Sequence, residues 1–278
     1  MTPERPPANR RSAPARLRAA LQLLTPPIVW RLVRRGRRRG PLEGPFASWD
    51  AASQRATGWD SPRIVEQALA AALEVKDGAA AFERDSVAHG QIIYSPTILA
   101  ALMLAVDRHR RLDVVDFGGG LGSNYFQNLK LIRALSNAPA SWRVVERPAL
   151  ARIGVDQFQT EQLRFHDDLA AVRLERPVVL FTGSLQYVAD AFGLLETAMA
   201  MTDIIALDRV LVYAEAEHGI FVQRLDAKRF GPVTLPTWCF ARAALIDWFA
   251  ARGFRLVERF EAGPPRRFTN CGLLFARA

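Results

Sequence analysis

The stretch VVDFGGGLGSNYF, residues 114–126, runs from apolar residues through an acid, Asp116, straight into the glycines Gly118, Gly119, Gly120 and Gly122. Val114 and Val115 read as the end of a buried parallel strand. The glycines then let the backbone turn sharply and leave bare amides open to a ligand. A tight turn with no ligand would use the same glycines, so the residues downstream carry the weight. Residues 141–146, SWRVVE, form a second short apolar run ending in an acid, and Glu146 lies 24 residues after Gly122. That interval holds one crossover helix, predicted over 125–135 from the spacing of Phe126, Leu129, Ile132 and Leu135, with Asn137, Ala138 and Pro139 breaking the chain after it. Glu146 then stands at a strand end, either as a solvated residue or as an acceptor for ribose hydroxyls.

Asp116 discriminates between ligands. A dinucleotide loop places a pyrophosphate on a helix N-terminus, and a carboxylate two residues before the first glycine repels it. S-adenosylmethionine has no phosphate and carries an ammonium and a sulfonium, so an acid there is attractive. Residue 123 is Ser where a dinucleotide fingerprint wants a third glycine or alanine.

Further strands follow at regular intervals. Residues 163–168, LRFHDD, read as a short strand ending in Asp167 and Asp168, either of which can accept from an adenine amino group or simply be solvated. Residues 177–187, PVVLFTGSLQY, are a continuous apolar strand leading into Ser184, Gln186 and Tyr187, placed to face a ligand because open parallel sheets bind at the carboxyl ends of their strands. Residues 203–209 repeat the pattern and end in Asp208 and Arg209. A helix over 241–252 and two strands over 254–260 and 270–276, joined through Gly263, Pro264 and Pro265, close the chain as an antiparallel hairpin. Upstream, Ser48, Ser61 with Pro62, and Ser95 with Pro96 read as helix starts. Strands alternating with helices give an α/β class, a mostly parallel Rossmann-like sheet.

On VVDFGGGLGSNYF, FERDS at 82–86, WRVVE, GSLQY and LDR, together with SWDAA at 48–52 and TGWD at 57–60, the chain resembles a methyltransferase family encoded with bacterial polysaccharide-biosynthesis genes. The resemblance runs from about residue 21 to the C-terminus. It implies a Rossmann-like class I methyltransferase fold: a mostly parallel seven-stranded sheet, a C-terminal antiparallel hairpin and an N-terminal helical cover. It also implies S-adenosylmethionine as cofactor, with Asp116, Gly118, Gly120 and Gly122 in the cofactor loop and Glu146 at the ribose; Gly119 falls in the same loop. Glu83, Arg84 and Asp85 either pair structurally or, as the resemblance favours, place Arg84 on the cofactor carboxylate and Asp85 on its ammonium. After Asp208 and Arg209 a proline-containing turn is expected, and Val210, Leu211 and Val212 stand there instead.

Half of the 278 residues are apolar, enough for a large core. Cys239 and Cys271 have no metal-ligand spacing, and with four histidines no metal site is expected. No apolar run reaches the roughly eighteen residues of a membrane span. Residues 1–40 hold eleven arginines and one acid, a local balance of +10 within a chain of +9, so the remainder is close to neutral at −1. The charge therefore belongs to a tail and not to a nucleic-acid-binding surface. Within 16–40, Leu17, Leu21, Leu24, Ile28, Trp30, Leu32 and Val33 lie among arginines, a pattern suited to the boundary of an anionic membrane or to a helical flap packed on the body. The organisation expected is a basic extension at 1–40, a helical cover at 41–110 and the Rossmann-like domain at 111–278, in a cytoplasmic protein with peripheral contact at the inner membrane.

Methyl transfer depends first on positioning and desolvation, and a sugar hydroxyl also wants a base. Asp208, His218 and His89 are the candidate bases, although a lone histidine is more often a structural or surface residue. Arg209, Gln186 and Tyr187 are the candidate acceptor contacts, the acceptor being a saccharide or a lipid-linked saccharide. A non-catalytic scaffold in a glycan-assembly complex and an NAD(P)-dependent oxidoreductase are the alternatives.

Overall fold

In the computed structural model the described residues are 42–58, 62–135, 140–226, 230–261 and 267–277. The strands in chain order are β1 (Leu42–Phe46), β2 (Phe82–Arg84), β3 (Val87–His89), β4 (Asp113–Phe117), β5 (Ser141–Val145), β6 (Leu163–His166), β7 (Val178–Thr182), β8 (Ile204–Tyr213), β9 (Gly219–Arg224), β10 (Thr234–Ala241), β11 (Phe254–Glu261) and β12 (Phe268–Arg277). The helices are α1 (Trp49–Ser53), α2 (Pro62–Lys76), α3 (Pro96–His109), α4 (Ser123–Leu135), α5 (Pro148–Gln157), α6 (Ala191–Met201) and α7 (Arg242–Ala250). Ser48 and Ser95 cap α1 and α3 as expected, each hydroxyl accepting from the amide three residues on. The extension at 1–40, Ser61, the break at Asn137–Pro139 and the Gly263–Pro265 turn lie outside the described residues.

Strands β6, β5, β4, β7 and β8 are parallel neighbours in that order. Strand β12 pairs antiparallel with β8, and β11 with β12. Five parallel strands with a reversed strand wedged in at the far side are the Rossmann-like class I methyltransferase arrangement. Alternation along the strands splits the core in two: Val114, Trp142, Val144, Leu180 and Ile204 face α3, α4 and α5, while Val115, Val179, Phe181 and Ile205 face α6 and α7.

Three expectations are corrected. The seven strands are the centre of a ten-stranded sheet, because β9, β10 and β1 extend it; β10 joins β8 through Phe240 and Ala241 alone, beside Val212 and Tyr213. No turn follows Asp208 and Arg209. Leu207 pairs with Leu273 and Val210 with Cys271, so those two residues stand against Gly272 alone, and the bulge lets β8 run on to Tyr213. The segment 41–110 is not purely helical, since FERDS forms the β2–β3 hairpin, with Asp85 (φ 50°) and Ser86 (φ 62°) as its two turn residues. Among the described residues no helix is long and apolar enough to cross a membrane.

Candidate active site

The glycine loop is fixed from beneath. Asp116, at the end of β4, is fully buried, and its carboxylate accepts from Asn124 Nδ2 at 3.1 and 3.2 Å and from Trp142 Nε1 at 3.3 Å. Burial raises its pKa from 3.8 to about 7; the Asn124 and Trp142 bonds pull the other way. Gly118 (φ 70°) passes so close to the loop after β7 that a Cβ there would lie 2.4 Å from Ser184 Cβ, and Ser184 Oγ donates to Phe117 O at 2.7 Å. A Cβ on Gly119 would meet the Asp116 carboxyl at 2.6 Å. The loop can lie flat over Asp116 and against β7 only with glycine at both positions. From the neighbouring strand, Glu146 Oε2 accepts from Gly120 N at 3.3 Å, and its Oε1 accepts from Arg147 N at 2.9 Å.

Above this loop is a cavity of about 450 Å³ at the carboxyl ends of the parallel strands. One end is walled by Glu146, Arg147, Pro148 and Asp167, the other by Ser184, Tyr187 and Arg209. The β2–β3 hairpin contributes Glu83, Arg84, Asp85 and Ser86 to the wall. It is fastened twice. Ser123 Oγ donates to one Glu83 oxygen and Ser86 N to the other at 2.6 Å, while Arg209 Nη1 meets both Asp85 oxygens at 2.8 and 3.0 Å. Burial raises the Glu83 pKa, against the pull of the Ser123 and Ser86 bonds.

The structure thus gathers Gly118, Gly119, Gly120, Glu146, Asp167, Ser184, Arg84, Asp85, Arg209 and Tyr187 around one cavity. It leaves out the rest. Asp116 supports the loop without forming part of the cavity wall, and Gly122 packs toward Leu163 and Phe126. Asp208 is corrected as a base: it is buried, and its Oδ1 accepts from Ser95 Oγ at 2.9 Å, which spends the carboxylate on the start of α3. His218 is corrected likewise. Its Nδ1 accepts from Ala241 N at 3.0 Å and its ring packs on Phe192, with burial lowering its pKa. His89 stacks on Phe82, centroids 4.7 Å apart, and is not part of the cavity wall. Gln186 is buried beneath the site, its Nε2 donating to Arg209 O at 3.4 Å. Asp85 faces Arg209, and Arg84 Nη2 donates to Ile93 O at 3.1 Å. Asp168 caps a short turn through Ala170 N, leaving the wall to Asp167. Glu83, Ser123 and Asn124 were not picked out from sequence as site residues, although each sits inside a quoted motif.

No family model matches the chain, and no curated protein does. Similar solved structures include the N-terminal domain of EvdMO1 with SAH bound, at 15% identity and TM-score 0.48, covering 79% of this chain and 98% of that one. The glycopeptide N-methyltransferase MtfA complexed with sinefungin gives 14%, 0.43, 66% and 88%. CalS10, an amino pentose methyltransferase from Micromonospora echinaspora, gives 14%, 0.43, 66% and 90%. At these scores the fold assignment rests on this chain's own strand order.

Proposed function

We propose that the chain is an S-adenosylmethionine-dependent methyltransferase acting on a saccharide or a lipid-linked saccharide. The observation that carries this reading is the Gly118–Gly120 turn facing Glu146 across the ends of adjacent parallel strands, within a cavity of the ~300–1,000 Å³ size usual for small molecules. The residues present fit the cofactor. Glu146 stands where ribose hydroxyls can donate to it, Asp167 is open to an adenine amino group, and Glu83 brings a carboxylate toward a cationic methionyl part. The same acids disfavour a pyrophosphate, and with it a nicotinamide cofactor. When bound, S-adenosylmethionine supplies a methyl group activated by a positively charged sulfur.

The chain's own residues do the rest. The hairpin forms part of the cavity wall, and the loops after β4 and β7 position the groups bound there. Asp208, His218 and His89 are engaged elsewhere, and both Glu83 oxygens accept from Ser123 and Ser86, so positioning and desolvation carry the reaction in this reading. The saccharide acceptor rests on the sequence resemblance and on the polar wall of Ser184, Tyr187 and Arg209. The basic segment 16–40 brings the enzyme to an anionic membrane surface in this reading, where lipid-linked acceptors reside. Incubation with methyl-labelled S-adenosylmethionine and a lipid-linked saccharide extract tests it. Label released with the glycan supports the acceptor class; label confined to protein or free amines overturns it.

A further inference from the structure

We propose that Arg209 is the anion receptor of the acceptor and that Asp85 is its resident counterion: an acceptor bearing a phosphate or carboxylate displaces Asp85 and takes over the guanidinium. This rests on the methyltransferase reading of the cavity. In the order β6-β5-β4-β7-β8, Glu146 and Asp167 lie on one side of the glycine loop, and Arg209 lies on the other, two strand steps or about 10 Å from β4. A cofactor held by the loop and Glu146 leaves Arg209 at the acceptor end.

The side chain is presented and not merely exposed. The bulge against Gly272 fixes Arg209 at φ 53°, its carbonyl accepts from Gln186, and its guanidinium passes over Gly183, where a Cβ would come within 3.3 Å of Nη2. Only Nη1 is used on Asp85, and Nε is buried without an acceptor. An oxyanion engages an arginine best through two parallel N–H bonds, and this arginine keeps donors free for one. Arg84 lines the same cavity, and its pKa is lowered by burial and by the nearby Arg209, so a second guanidinium adds positive charge at this end of the wall.

Asp85 is a replaceable partner. It is 45% exposed, against 32% for Arg209, and it heads a tight turn whose two residues both hold left-handed conformations without a glycine. The strands on either side are three residues long. A pair this exposed adds little to stability, and Glu83 already fastens the hairpin to α4, so pinning does not account for the Asp85–Arg209 contact.

Calorimetry on the full chain saturated with S-adenosylhomocysteine, using glucose 6-phosphate, glucuronate and glucose as probes, tests the proposal. The expected result is binding of an anionic probe but not of glucose, with the phosphate and carboxylate arms showing which anion is taken. Asp85→Asn should tighten that binding about tenfold, because the competitor is removed. Arg209→Gln should abolish it and leave S-adenosylhomocysteine affinity unchanged. Equal binding of glucose, or weaker anion binding in Asp85→Asn, overturns the proposal. Loss of S-adenosylhomocysteine binding in Arg209→Gln overturns it too, by assigning the guanidinium to the cofactor. If the wild-type chain takes no S-adenosylhomocysteine, the methyltransferase reading fails instead, and the same anion titration of the unliganded protein decides the Arg209 site. Asp85→Asn, a surface change, keeps the test decisive should Arg209→Gln not fold.

Discussion

Asn124, on the first turn of α4, donates its amide to both oxygens of Asp116, at 3.1 and 3.2 Å, and to Thr182 Oγ1 at 3.1 Å. One side chain thus ties the ends of β4 and β7 together under the glycine loop. Burial still dominates Asp116, and its pKa near 7 has a measurable consequence. Between pH 4 and 7 the folded protein binds a proton that the unfolded chain has released, so this group's contribution to stability is present below pH 4 and lost as pH rises through 7, up to roughly 4 kcal/mol in all. Denaturant unfolding of wild type and Asp116→Asn across pH 4–8 checks it. The wild-type minus variant difference should fall with rising pH across that window, and a flat difference would contradict the burial argument.

Gly118→Ala should destabilise the protein by about 1–3 kcal/mol, combining an overpacked contact with Ser184 Cβ and a left-handed conformation. Measured against Ser184→Gly alone, which already lacks the Ser184–Phe117 hydrogen bond, adding Gly118→Ala should cost only the backbone part. Thermal melts of the two single variants and the double variant separate these contributions, and no cost of Gly118→Ala in the Ser184→Gly background would mean the backbone conformation costs nothing.

Half-buried Ser95 bonds buried Asp208 and also starts α3. Replacing an N-cap serine by alanine costs about 1 kcal/mol, and here the change also strips a donor from a carboxylate that is 7% exposed. Ser95→Ala should therefore cost roughly 2–4 kcal/mol. A double-mutant cycle with Asp208→Ala should show coupling between the two sites, whereas simple additivity would return Asp208 to consideration as a free base.

The full chain should sediment with vesicles containing phosphatidylglycerol at low salt and release as salt rises, each basic side chain near the surface contributing about 1 kcal/mol. A chain lacking residues 1–40 should stay in the supernatant. Sedimentation that survives the deletion would remove the membrane role from that segment.

Much of the parallel sheet was legible because β4 and β7 are buried, mostly apolar runs, because β5 ends in Val144 and Val145, and because α4 keeps a helical spacing between β4 and β5. The ends of β8 were not. A polar pair, Asp208 and Arg209, looks like a strand terminus, and only the bulge opposite Gly272 reveals that the strand continues. Strand β10 was hidden by Pro236, which is tolerated because β10 reaches β8 only at Phe240 and Ala241, leaving one side of the strand unpaired with β8 at the proline. The β2–β3 hairpin lacks the Asn-Gly or Asp-Gly pair that advertises such turns. In the site, residues on the glycine loop and at strand ends were readable from position alone. The bases were not, since nothing local in the sequence says that Asp208 bonds Ser95 or that His218 accepts from Ala241.

Calorimetric titration of the full chain with S-adenosylmethionine and, separately, with NAD and NADP, using Glu146→Ala as the control, decides which cofactor the cavity takes. Saturable binding of S-adenosylmethionine alone is expected, weakened roughly 10- to 100-fold in Glu146→Ala by loss of charged hydrogen bonds, with the variant still folded by circular dichroism. Binding of NAD or NADP, or S-adenosylmethionine binding indifferent to Glu146, would contradict this expectation.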